Sequence, residues 1–180
     1  MNHFKKIISI SILSLICITA KVSAIGAGVQ LGGTPGLFIN ENGAKLEQFT
    51  GRLTGTFRLS RLPMSLGFGF KAGKIQSDFS YGLYGFADYY AIDTHIKNTW
   101  SFYSGFGAEA SLVTTNFQNW NTSTGLRLFA GMDWLFIDNF LEVYVQQNIV
   151  PTIVKNLNNP SSKPSFMICL PIETGIRMHF

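Results

Sequence analysis

The chain has 180 residues, enough for one domain with a single core, and a formal net charge of +4 from 14 basic and 10 acidic side chains. Lys5, Lys6 and Lys21 lie in the first 24 positions, and without them 11 basic side chains face 10 acidic ones, a net charge of +1. That balance, with no basic run interleaved with aromatics, excludes a nucleic-acid binder, and Cys169 as the one cysteine past residue 24 excludes an intrachain disulfide or a thiolate metal cluster.

The first element is a leader. Asn2 to Lys6 is a basic start, Ile7 to Ile18 is apolar, and Val22-Ser23-Ala24 has the small residues that signal peptidase needs. Residues 1–24 are expected to be a cleaved signal peptide, with the cut between Ala24 and Ile25, and residues 25–180 to form one domain. The apolar stretch is short of the ~20 residues of a spanning helix, and nothing after residue 24 supplies such a run.

From Ile25 onward the hydrophobic period is two, which is the period of a strand and not of a helix. Ile25 to Gly33 gives a first strand, with Ala27, Val29 and Leu31 opposite Gly26, Gly28, Gln30 and Gly32. Gln48 to Ser60 alternates Phe49, Leu53, Phe57 with Gln48, Thr50, Arg52, Thr54, Thr56, Arg58, and Ser60-Arg61-Leu62-Pro63 turns the chain. The third strand starts at Met64, with Leu66, Phe68 and Phe70 against Ser65, Gly67, Gly69 and Lys71. Phe79 to Tyr89 is the fourth, aromatic on both sides, with Tyr84, Phe86 and Asp88 on the face that Gly82 shares. In the fifth, Phe102, Phe106 and Leu112 oppose Tyr103, Gly105, Glu109 and Ser111. The sixth sets Leu126, Leu128 and Trp134 against Arg127, Phe129 and Asp133, and the seventh sets Leu141, Val143 and Val145 against Glu142, Tyr144 and Gln146. The eighth runs from about Phe166 to Phe180 and ends ETGIRMHF, with Ile176, Met178 and Phe180 opposite Glu173, Gly175, Arg177 and His179.

The connections fall into two sets. Asn40 to Lys45, Lys74 to Ser77, Thr115 to Thr122 and Val150 to Ser165 should lie on one rim, the first and last being long and rich in Asn, Pro, Gly and Ser; Ser60 to Pro63, Ile92 to Asn98 and Phe136 to Asn139 should make short turns on the other. Eight strands of ~10 residues, the length that crosses hydrocarbon at a ~45° tilt, use about half of residues 25–180. A soluble sandwich would put many Lys and Glu on its wet face, whereas the polar face here carries Gly, Ser, Thr, Tyr and sparse, balanced charges, which suits a narrow barrel interior. Trp100, Trp134, Phe136, Phe140 and Tyr89-Tyr90 sit near strand ends, where a membrane interface favours aromatic rings. The reading is all-β: an eight-stranded antiparallel up-and-down transmembrane β-barrel.

The final octet resembles the insertion signal of bacterial outer-membrane barrels, carried here by Glu173, Gly175, Met178 and Phe180. Across residues 25–180 the chain is similar to the small eight-stranded outer-membrane proteins of the OmpX type, the OmpA transmembrane domain and the OmpW type. The resemblance implies residence in the bacterial outer membrane, contact with its lipid, recognition of the C-terminal strand by the barrel-assembly machinery, and a monomer.

With the polar faces inward, Arg52, Arg58, Lys71, Arg127 and Arg177 nearly balance Asp88, Glu109, Asp133, Glu142 and Glu173, so the expectation is a paired network filling the lumen. The expected role is structural, with passive uptake of a small hydrophobic solute, as the OmpW type implies, along Tyr84, Phe86, Tyr103, Phe129 and Tyr144. The alternative is a surface adhesin acting through Leu37 to Leu46 and Pro151 to Ser165, where Asn156-Leu157-Asn158-Asn159-Pro160-Ser161-Ser162 is turn chemistry. Some eight-stranded barrels act on lipid A through a serine, a histidine and a carboxylate near the outer rim, but His95 and His179 both belong to the short-turn rim. No enzyme activity, cofactor or metal site is expected.

Overall fold

The computed structural model describes residues 25–40, 43–59, 62–75, 78–97, 99–158 and 163–180. The expected leader, residues 1–24, therefore lies outside the described residues, as do Ser60 and Arg61 of the first short turn and Asn159 to Ser162. The strands are β1 (Ile25–Asn40), β2 (Gly43–Leu59), β3 (Met64–Ile75), β4 (Asp78–Lys97), β5 (Trp100–Thr114), β6 (Trp120–Phe136), β7 (Leu141–Asn156), β8 (Ser165–Cys169) and β9 (Ile172–His179). All pairings are antiparallel and, apart from the closing one, join chain neighbours; β8 and β9 are one stave interrupted at Leu170-Pro171, since β7 and β1 each pair with both. The sheet is thus a closed ring of eight staves. Ring closure is made by β1 with β9, from Gly26↔His179 to Gly33↔Ile172, and by Phe180, whose N–H donates to the Ile25 carbonyl at 3.1 Å while the Ile25 N–H donates to its carbonyl at 3.3 Å.

The alternation read from the sequence sets the two surfaces. Phe49, Phe68, Phe70, Leu126, Ile172 and Ile176 all point outward, from 48% to 67% exposed, and form part of an apolar collar around the ring. Such a collar is far larger than the few hundred Å² of contiguous apolar surface that a soluble monomer tolerates, and it is the outward band that a transmembrane barrel has. Inside, five direct cross-strand pairs join a large ring to a glycine: Phe86 to Gly67, Tyr84 to Gly69, Phe129 to Gly105, Tyr103 to Gly131 and Tyr144 to Gly175. At Gly67, Gly105, Gly131 and Gly175 the ring takes the space of a side chain: a Cβ at Gly131 would come within 2.5 Å of the Tyr103 ring, and one at Gly175 within 2.5 Å of Tyr144, whereas at Gly69 a Cβ would meet the Leu53 carbonyl. Tyr90, Tyr103, Phe129 and Tyr144 form one buried cluster, and Val150, Met167 and Cys169 a second, packed by Phe38 and Val154.

The strands are longer than the sequence pattern suggests, and this corrects the loop assignments. β7 continues through Val150 to Asn156, so the first part of the expected Val150 to Ser165 loop is strand. Pro151 falls where the β6–β7 ladder skips from Gly125↔Thr152 to Leu128↔Ile149, while on its other side it stands opposite Ile168 of β8. β4 runs on to Lys97, absorbing Ile92 to Lys97 through register shifts after Tyr90 and His95. Leu37 to Leu46 is likewise the paired end of the β1–β2 hairpin, closed across Asn40↔Gly43. The expected contrast of long and short connections consequently fails at that hairpin and at the tight Ile75↔Asp78 connection; only 115–119 and 157–164 are longer. The rim that carries Ile25 and Phe180 is called the inner mouth below and the opposite rim the outer mouth.

Candidate functional site

Position along each strand decides depth in the lumen, and inward parity places all ten expected charges inside it. Arg52 (β2), Asp88 (β4), Glu109 (β5), Arg127 (β6) and Glu173 (β9) meet at mid-height. Arg127 is fully buried and uses its whole fork: Nε donates to Asp88 Oδ1, Nη1 to Glu109 Oε2 and Nη2 to Glu173 Oε2, each at 2.9 Å. Arg52 grips Glu109 with both terminal nitrogens, at 2.7 and 2.9 Å, and reaches Glu173 at 3.5 Å. The planar guanidinium is suited to this work because it offers several donors in fixed directions. Each ring also has a face to cover: Arg127 lies 4.2 Å over Phe86 and Arg52 4.8 Å over Tyr84, whose hydroxyl bonds Thr54.

Toward the inner mouth a second group forms around Glu142. Arg177 Nη1 donates to Glu142 Oε1 at 2.6 Å and stacks 3.9 Å over Tyr144, whose hydroxyl donates to Gln30 at 2.8 Å. Arg58 reaches the same carboxylate at 3.2 Å, Asp133 at 3.4 Å and Asp93 at 2.5 Å. His179 Nε2 lies 2.6 Å from Glu142 Oε2. Lys71 stands apart toward the outer mouth: it is buried, lies in none of the ion pairs among the described residues, and donates to Ser111 Oγ at 2.6 Å, which is in turn 2.5 Å from Ser123 Oγ. Between the charges sits a belt of amides, with Asn148 donating to Glu173 at 2.8 Å and accepting from Gln146 at 2.6 Å.

Several of these residues are not among the expected set. Asp93 faces inward because a bulge at Ala91 resets the parity of β4, a feature no alternation count contains. Gln146 lies on the expected inward face of the seventh strand, and Asn148 follows by the same parity two residues further on. His179 is on the expected face, and its carboxylate partner is the new information. His95 bonds Ser101 Oγ through Nδ1 at 3.0 Å at the inner mouth. Among the described residues no three His, Cys, Asp or Glu side chains are grouped to hold a metal ion. Of the expected assembly residues, Gly175 seats the Tyr144 ring, Met178 points outward, and Phe180 packs edge-on against Phe140 with ring centres 5.7 Å apart.

No protein-family profile matches the sequence, and no curated protein matches it either. Solved structures do. The Neisserial surface protein A superposes with a TM-score of 0.56 at 14% identity, covering 88% of this chain and 99% of that one. Ail, the attachment invasion locus protein of Yersinia pestis, solved in complex with the heparin analogue sucrose octasulfate, gives 0.52 at 12% identity, covering 87% of this chain and 98% of its own. By fold, this chain is a small outer-membrane β-barrel. The match spans nearly the whole length of both barrels, so the closed ring of eight staves is shared from end to end.

Proposed function

We propose that the protein is a sealed, non-catalytic barrel of the bacterial outer membrane that acts through its outer face, in attachment to an anionic surface polymer. The observation that carries this reading is the occupied lumen: Arg127, bound by three carboxylates from three other staves, lies across the passage with no exposed surface. A plugged lumen favours work at the rim over passage of a solute through the middle. The outer rim carries four exposed lysines, Lys45, Lys74 and Lys155 at stave ends and Lys163 in the connection before β8, of the charge that a polyanion requires. Ail, of the same fold, was solved with a heparin analogue, which supports a polyanion as ligand class. Lipid around the collar and the assembly machinery at the final strand remain its expected partners, and a monomer its expected state.

Two measurements test this together. In planar bilayers the purified protein should give no steady single-channel conductance; open channels would overturn the sealed lumen. On a heparin column it should be retained and elute with salt, and the quadruple Lys→Gln variant at 45, 74, 155 and 163 should elute clearly earlier. Equal elution of the folded variant would remove the outer face from the account.

A further inference from the structure

The connection between β5 and β6 folds back over the outward face of the barrel. Residues 115–119 are braced: Asn116 Oδ1 accepts from the N–H groups of Gln118 and Asn119 at 3.1 and 2.9 Å, and Trp120 Nε1 donates to the Phe117 carbonyl at 3.0 Å. The Asn158 amide ties down the same turn, donating to the Gln118 carbonyl and accepting from the Trp120 N–H, each at 2.7 Å. This bracing holds Phe117 at a φ of +58°, a left-handed conformation that bulky residues avoid, and leaves it 70% exposed. Its ring stands edge-on to Tyr81 with centres 5.1 Å apart. Beneath it lies a groove of about 460 Å³, walled by Phe70, Ala72, Leu83, Leu112 and Trp120. Ala72, between Phe70 and Lys74 on the outward face of β3, supplies the hollow.

The head of the groove is charged. Lys74 is exposed and stands in register with Phe49 on one side and Phe79 on the other, both exposed rings of the collar. It enters none of the ion pairs among the described residues, and Asp78, the acid of the same hairpin, takes the inward parity of the buried Ser80. A cation at the outer edge of an apolar collar lies at headgroup level, where the anion in reach is a lipid phosphate. We infer that the groove is a binding site for one anionic phospholipid, with its phosphate on Lys74 and an acyl chain laid under Phe117 against Leu83 and Leu112. The site rests on the membrane placement of the collar and goes beyond the polyanion reading, with which it shares Lys74 alone.

The test reads the fluorescence of Trp120 in the full-length barrel with Trp100 and Trp134, the other two tryptophans, replaced by phenylalanine. The protein is reconstituted in bilayers of phosphatidylcholine and phosphatidylglycerol, with bromine on the acyl chains of one lipid or the other. Brominated phosphatidylglycerol should quench Trp120 with a binding constant about fivefold above that of brominated phosphatidylcholine, the scale of one lysine at a lipid surface. Lys74→Gln should bring the two lipids level. Phe117→Gly, which suits the left-handed backbone and so keeps the fold, should lower the phosphatidylglycerol constant by opening the roof, while heparin retention stays at its starting value. Equal constants for the two lipids before either substitution would overturn the assignment, whatever the heparin column shows. So would an unchanged preference in either variant with normal heat-modifiable migration. Absence of quenching by both lipids would overturn the membrane placement of this face, and the site with it.

Discussion

The middle of the lumen and its inner mouth use the same side chains and obtain different things from them. At mid-height Arg52 and Arg127 are 1% and 0% exposed, and every carboxylate they hold is 5% exposed or less. At the mouth Arg58 is 16% exposed and its shortest contact is to Asp93, which is 45% exposed. Water screens the Arg58–Asp93 contact and neither the mid-lumen pairs nor Arg177–Glu142, at 1% and 0% exposed, so removal of a mid-lumen partner strands charges in a low dielectric while removal of Asp93 leaves Arg58 in reach of solvent. Geometry reinforces the difference. Arg127 joins staves from three directions, whereas the Arg58–Asp93 contact joins side chains at one open rim. The centre therefore fixes the cross-section of the barrel, and the mouth is left free to exchange partners.

That contrast can be broken in order of expected size. Arg127→Ala leaves Asp88, Glu109 and Glu173 buried without their shared partner; it should cost about 3–5 kcal/mol or prevent folding, read from urea titration of the heat-modifiable gel shift. Near-wild-type stability would show that the centre is wetter than its burial implies. Gly131→Ala tests the same region without touching charge: its Cβ would meet both the Tyr103 ring and the backbone carbonyl of Val145 at 2.5 Å, for a loss of about 1–3 kcal/mol. Arg58→Ala should cost about 1–2 kcal/mol, since Glu142 keeps Arg177, Asp93 is half-exposed to water, and Asp133 is the one buried carboxylate that loses its arginine. Asp93→Asn should lie within about 0.5 kcal/mol of wild type, and the difference should vanish at high salt. If the Arg58 and Arg127 variants prove equally destabilised, the distinction between a rigid centre and an exchangeable mouth fails.

Which face a residue takes was legible in the sequence, because strand parity is strict and Gln48 to Ser60 displays it almost without error. The fold followed from that parity, from the strand count and from the terminal octet. What parity does not contain is height. Arg52 and Glu109 are 57 residues apart and meet because the stagger of successive staves brings them level, a quantity summed over three hairpins and sensitive to every bulge. The strand end was also misplaced: the Pro151 region looks like the start of a loop, yet β7 runs on to Asn156, with Val150 and Thr152 buried inside it. Asp93 was hidden by a single bulge residue.

The seam between β1 and β9 gives every stave two neighbours, and the pairs that make it, Ile25 with Phe180 and Gly26 with His179, are among the most distant in the sequence. Contacts of that separation carry the greatest loop-closure penalty and form last. Until they form, the growing sheet has two raw edges and half of its collar facing water, so a partly assembled barrel is more prone to stick to others than either the nascent chain or the finished ring. A slow step in refolding from urea should accordingly track the final strand, and a chain lacking its last residues should accumulate as aggregate before it accumulates as barrel.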